Sequence, residues 1–166
     1  MQRVLLVPLL LLACAGCNLV GASVGASTQS GMGVAFSSYN DFLYSGPGGA
    51  YSNNRKGMEQ FLAGQYAQAR ETFAATLEQY PGNPDAVYYL GLSLIYLGER
   101  AEGFAAIQKY NDPNNFRISH EVRWWGDYCS RKPDLTPEKI RQVLNKARAE
   151  GFRRDIEEDW MRRGWM

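Results

Sequence analysis

Apolar residues run almost without interruption from Pro84 to Leu97, and this stretch organises the rest of the chain. Asn83 before it, Pro84 at its first position, Asp85 in its first turn and Gly98 after it mark the two ends of a helix. A helix apolar on every side needs cover on several sides, and this one is shorter than the roughly 20 residues a bilayer span takes. The pattern therefore predicts helical neighbours on both flanks. Upstream, helices are predicted over about Tyr51–Ala63 and Tyr66–Tyr80; downstream, over about Arg100–Lys109, ending at the breaker Asn111-Asp112-Pro113-Asn114-Asn115. Ile118–Arg131 reads as a further helix. Thr136-Pro137-Glu138 then caps one with the stripe Ile140, Val143, Leu144, Ala147, which is expected to stop near Gly151. A last short helix, about Arg153–Arg162, puts Ile156, Trp160 and Met161 to one side and charge elsewhere, as a helix closing a stack would. Residues 50–166 thus read as one all-α domain of paired helices.

The pairs repeat. Shifting Gly91, Gly98 and Ile107 back by thirty-four positions lands on Gly57, Gly64 and Phe73, and Trp124 lies thirty-four after Leu90. On Gly57, Gly64, Tyr66, Ala69, Phe73, Leu77 and Pro81, with Leu90, Gly91, Gly98 and Ile107 in the second unit, the chain resembles the tetratricopeptide-repeat (TPR) family. The second unit departs from that pattern at Gly103, where a small Ala is usual. The resemblance implies two recognisable hairpin repeats, a degenerate third and a C-terminal capping helix. It also implies a concave groove lined by Asn54, Met58, Phe61 and Leu62 from the first unit and Tyr88, Leu92, Ile95 and Tyr96 from the second. Such a lining suits an extended peptide or an apolar helix and lacks a Lys/Arg clamp for a terminal carboxylate. The other reading of these positions is plain core, or a surface covered by a docking segment of the chain itself. The TPR fold hosts many partners, so the resemblance carries fold further than function.

The amino terminus differs in kind. Arg3, a run of about ten mostly apolar residues from Val4, and Cys14-Ala15-Gly16-Cys17 form an export signal over residues 1–16 that resembles a bacterial lipoprotein signal. Cys17 gives the more ordinary signal length and Cys14 the better match before the cysteine, so the lipid-bearing residue is Cys17 or, alternatively, Cys14. A plain secretory signal or an uncleaved anchor is the other reading. Neither Ala15 nor Asn18 is Asp, which by the same resemblance implies an outer-membrane lipid anchor with the domain facing the periplasm. Residues 17–49 are rich in Gly, Ser and Ala and read as a tether with a mean reach of about 30 Å. The aromatic run at 34–44 is a possible docking segment within it.

With 166 residues, 45% of them apolar, and a net charge of +1, no strong field points to nucleic acid. The arginines of the last third, Arg141 and Arg148 among them, alternate with acids and read as a solvated, ion-paired helix face. Trp124 and Trp125 sit about 100° apart on their helix, so one is expected in the core and the other at the surface; Trp165 and Met166 read as a frayed end. His120, the only histidine, and Cys129 are nine residues apart, on opposite faces of one helix, which excludes a Cys/His dyad within it. No His or Cys spacing suits a metal, and Gly31-Met32-Gly33 lacks the third glycine of a phosphate-cradling loop. The expectation is a non-catalytic adaptor without metal or cofactor, binding another envelope protein or peptide. The alternatives are a pilot or assembly factor for a pilus or secretion machine, and a peptidoglycan-processing enzyme or its regulator.

Overall fold

In a computed structural model of the chain, residues 20–27, 31–38, 41–44 and 48–163 are described. The signal at 1–16, both candidate lipid-bearing cysteines, Trp165 and Met166 lie outside them. The chain divides into two compact units, Met1–Ser38 and Tyr39–Met166.

In the first unit, β1 (Val20–Ser27) pairs antiparallel with β2 (Gly31–Ser38), Val20 opposite Ser38 and Ser27 opposite Gly31. This corrects the tether expected here. The glycines sit among Val20, Val24, Val34 and Phe36, β-branched and aromatic residues that favour strands, and neither run contains a proline to interrupt the ladder.

The second unit is all-α among its described residues: α1 (Gly49–Leu62), α2 (Tyr66–Gln79), α3 (Pro84–Tyr96), α4 (Arg100–Gln108), α5 (Phe116–Ser130) and α6 (Pro137–Arg162). The apolar rod of the sequence is α3, and it touches α1, α2, α4 and α6. Its cap is shared between helices. Asn83 Oδ1 accepts from Ala86 N at 3.0 Å and from the buried Asn54 side chain of α1 at 2.8 Å, so the start of α3 is pinned to its neighbour.

One close approach is used twice. A Cβ on Gly57 would lie 2.7 Å from the Phe73 ring, and a Cβ on Gly91 would lie 2.8 Å from Ile107. Both glycines let a first helix settle onto the second helix of its own hairpin, and the two contacts are separated by thirty-four positions at each end. Gly64 and Gly98, also thirty-four apart, take φ of 76° and 87° just after α1 and α3, a left-handed turn that suits glycine.

The largest departure from expectation is α6. It runs unbroken for 26 residues through Gly151, so no separate closing helix begins at Arg153. Gly151 serves packing: a Cβ there would lie 2.6 Å from the Ile118 Cα of α5. Asp155, a turn further along α6, accepts from the amides of Arg117 and Ile118, each at 3.0 Å, and so caps α5 from across the interface. Met161, expected against the core, is 59% exposed. Among the described residues no helix is long and apolar enough to cross a membrane.

Candidate binding surfaces

The side chains expected to line an open groove are mostly sealed inside. Asn54, Phe61, Tyr88, Leu92 and Ile95 are buried, Met58 and Tyr96 are half-buried, and only Leu62 is well exposed, at 53%. The groove expectation is corrected for the five buried residues: α6 meets Tyr88 through Asn145 and Phe61 through Arg141, Asn54 is bonded to Asn83, and Gly103 of α4 packs close to Ile95. The reading of the α6 arginines as solvated left α3 with a free face, whereas Glu138 to Arg148 of α6 lie against it.

The cover is built from one polar stripe. Glu138, Arg141, Asn145 and Arg148 recur every three or four residues on α6 and so share a face. Tyr96 donates to Glu138 at 2.5 Å, the Arg141 guanidinium lies 5.4 Å from the centre of the Phe61 ring, and Tyr88 donates to Asn145 at 2.6 Å. At the end of the stripe Arg148 pairs with Asp85, with side-chain exposures of 1% and 0%. Arg148 and Arg141 are therefore not part of a solvated face. Arg148 fills a box of rings, its guanidinium carbon 4.3 Å from the centre of Tyr88, 4.5 Å from Tyr44, 5.2 Å from Phe42 and 5.4 Å from Tyr89. Burial opposes its charge, but the hydroxyl groups around it and Asp85 outweigh that, and its pKa stands well above the ordinary arginine value. Burial likewise pushes the phenols of Tyr88, Tyr89, Tyr110 and Tyr44 above their usual range, so these groups remain protonated.

The aromatic run at 34–44 divides. Val34 to Ser38 belongs to β2, while Asp41–Tyr44 seats on the helical body. Arg148 donates to the Phe42 carbonyl at 2.7 Å and the Tyr89 hydroxyl donates to the same oxygen at 3.1 Å. The Tyr44 amide donates to Asp85 at 3.1 Å, its hydroxyl donates to the Arg148 carbonyl at 3.1 Å, and Arg141 Nε donates to the Asp41 carboxylate at 3.0 Å.

A second surface lies on α5. Its buried face carries Ile118, Val122 and Cys129, and Gly126 sits where a Cβ would come 2.6 Å from Ile107 of α4. The outward face carries Phe116, His120, Trp124 and Tyr128 at successive four-residue steps. Phe116 is 72% exposed, Trp124 52% and Tyr128 37%. The Trp124 and Tyr128 rings are nearly parallel, 8° between planes with centres 6.2 Å apart, and Trp125 stands edge-on to both. The end of α5 is held by Arg100, whose guanidinium donates to the carbonyls of Cys129, Lys132 and Leu135 at 3.1, 2.7 and 2.9 Å. The row was visible in the sequence only as a four-residue period of aromatic residues; which side of α5 faced water depended on the placement of α6.

His120 is exposed and Cys129 is buried, its thiol pushed up to about 11 by burial. Among the described residues no group of three or more His, Cys, Asp or Glu is placed to hold a metal ion. A cleft of about 860 Å³ between the Asn111–Asn115 loop and the last turns of α6 is lined by charges paired with one another, such as Arg117 with Glu158 and Arg163 with Asp159. No family model, curated protein or solved structure matches the chain.

Proposed function

We propose that the chain is a lipid-anchored, non-catalytic adaptor of the TPR type, exported to the bacterial envelope and held at the outer membrane through Cys17, or alternatively Cys14, with its helical body in the periplasm. The anchor reading is supported by the order of charge, apolar run and small residues before the cysteines. The repeat reading is supported by the twice-used contact of Gly57 with Phe73 and Gly91 with Ile107.

The observation that carries the adaptor reading is the outward aromatic row of α5. Large rings left in water on a helix whose other face is fully packed mark a surface that gains from cover, and Trp and Tyr are the residues that dominate the energetics of protein interfaces. The row is also pre-ordered, since Trp124, Trp125 and Tyr128 brace one another before any partner arrives. The partner is another envelope protein.

A photoreactive group placed at Trp124 or Tyr128 of the lipidated protein in its native envelope tests this. A single dominant crosslinked protein, lost when the other ring is truncated, is the expected result; crosslinks spread over many proteins alike would overturn the reading. Fatty-acid labelling of Cys17→Ser and Cys14→Ser variants identifies the anchor, and label retained by the double variant would remove it.

A further inference from the structure

The seat beneath Asp41–Tyr44 has the make-up of a ligand site. The segment has no regular secondary structure, yet its main chain is read at both polar ends: the Phe42 carbonyl accepts from Arg148 at 2.7 Å and from Tyr89 at 3.1 Å, and the Tyr44 amide donates to Asp85 at 3.1 Å. Three side chains add selectivity. The Asp41 carboxylate meets Arg141, and the Phe42 and Tyr44 rings flank the Arg148 guanidinium.

Two features separate this seat from ordinary core. Arg148 and Asp85 pair with each other, both within the helical body, so the charges stay compensated when the segment leaves. The fit of the chain's own segment is also incomplete. Arg148 Nε, on the body side of the seat, is buried with no hydrogen-bond partner among the described residues, so the seat holds a donor that the resident segment does not use.

We propose that this seat is a peptide-binding site and that its occupant in a complex is an extended segment of a partner protein, carrying an aspartate followed directly by an aromatic residue and, two positions later, a tyrosine. The chain's own Asp41-Phe42-Leu43-Tyr44 is a resident copy of that ligand, displaced when the partner binds. The proposal rests on the adaptor reading and names a second contact for it, on α3 and α6, away from the aromatic row of α5.

The test uses the full chain with a protease site inserted after Tyr44, cleaved once folded, and a fluorescent peptide of residues 38–44. Saturable binding to the cleaved protein, with little binding to the uncleaved one, is expected. An Asp41→Asn peptide is expected to bind roughly 30-fold more weakly, the loss that follows from removing one partner of a desolvated charge pair. A scrambled peptide binding as well as the native order overturns the proposal, as does a cleaved segment that never exchanges under excess peptide. Dimers forming in step with protein concentration make a second copy the occupant, and overturn the assignment to a foreign partner. Amide exchange on the uncut, unmodified chain keeps the question decidable if cleavage unfolds the body. The Tyr44 amide is expected to exchange at least about tenfold faster than the buried amides of α3, through an opening confined to the segment; equal rates overturn the proposal. None of these outcomes involves Trp124 or Tyr128, so failure here and failure of the α5 crosslink are separate results.

Discussion

The two hairpins α1/α2 and α3/α4 and the seam between α3 and α6 belong to one helical body but are held by opposite means. In the hairpins a glycine lets an apolar side chain of the partner helix close in, Gly57 on Phe73 and Gly91 on Ile107, over short stretches of sequence. The seam joins residues far apart in the chain through hydroxyls, an amide and two arginines: Tyr88 with Asn145, Tyr96 with Glu138, Arg148 with Asp85 and Arg141 with Asp41. Apolar packing tolerates small shifts and depends little on pH. A buried polar seam forms only when every partner is in place, and it responds to any change in charge. The body thus has a permissive half and an exacting half, and the exacting half is where the amino-terminal segment docks.

Alkaline titration should divide the halves most sharply. Below about pH 10 the tyrosine hydroxyls hold their protons in both the folded and the unfolded chain, and the seam is intact. Above it the unfolded chain releases those protons, while burial keeps them on Tyr88, Tyr89 and Tyr110, so stability falls as pH rises. These three, with Tyr44 held in the same way, together remove about 5 kcal/mol for each pH unit above 10. Urea unfolding followed from pH 8 to 11 checks this, and Tyr88→Phe should flatten the slope by about a quarter. A flat profile to pH 11 would mean that water reaches the seam and that the contrast between the halves is false.

Next in size is the charge at the end of the seam. Arg148→Ala leaves Asp85 buried without its cation and should lower unfolding free energy by about 3–5 kcal/mol. The double variant with Asp85→Ala should lose clearly less than the sum of the single losses, because each single change strands the other's charge. Additive losses would show that the two side chains contribute to stability independently.

The hairpins supply a smaller, graded effect. Gly91→Ala drives a methyl to within 2.9 Å of the Gly103 carbonyl as well as into Ile107, and backbone cannot swing away, so a loss of about 1–3 kcal/mol is expected. At Gly57 the three atoms nearest an added methyl all belong to the Phe73 ring, a side chain that can give way, so its loss should be the smaller; the better helix propensity of alanine returns about 1 kcal/mol at either site. Equal losses at the two glycines would mean that the repeated contact does not depend on what kind of atom lies opposite.

The same division explains what could be read from sequence. The ends of α1 to α4 follow from local marks such as Asn83, Pro84 and the turn glycines, and the hairpin contact follows from a period, so both are visible in a window of residues. The seam is not. Arg141, Asn145 and Arg148 have the alternation of a solvated helix, and only distant partners draw them in: Tyr88 for Asn145 and Asp85 for Arg148, about sixty residues away, and Asp41 for Arg141, 100 residues away. Gly151 misled for a related reason: a glycine at a helix end and a glycine at a helix crossing look alike until the crossing helix is placed. Misreading that residue split α6 in two, while the open groove came from the repeat resemblance together with the reading of Arg141 and Arg148 as solvated.

The least effect on folding is expected where binding should suffer most. Trp124 is 52% exposed and touches chiefly Trp125 and Tyr128 on its own helix, so Trp124→Ala should move stability by no more than about 0.5 kcal/mol. A ring at the centre of an interface contributes 2 kcal/mol or more to association, so the affinity for whatever the α5 crosslink captures should fall roughly 30-fold. Denaturation and a binding titration on the same preparation decide it together. Unchanged stability with lost binding marks a surface kept in water for a partner. Lost stability would make the aromatic row a third means of holding the body together, alongside glycine contacts and the polar seam, and would leave the adaptor reading without its carrying observation.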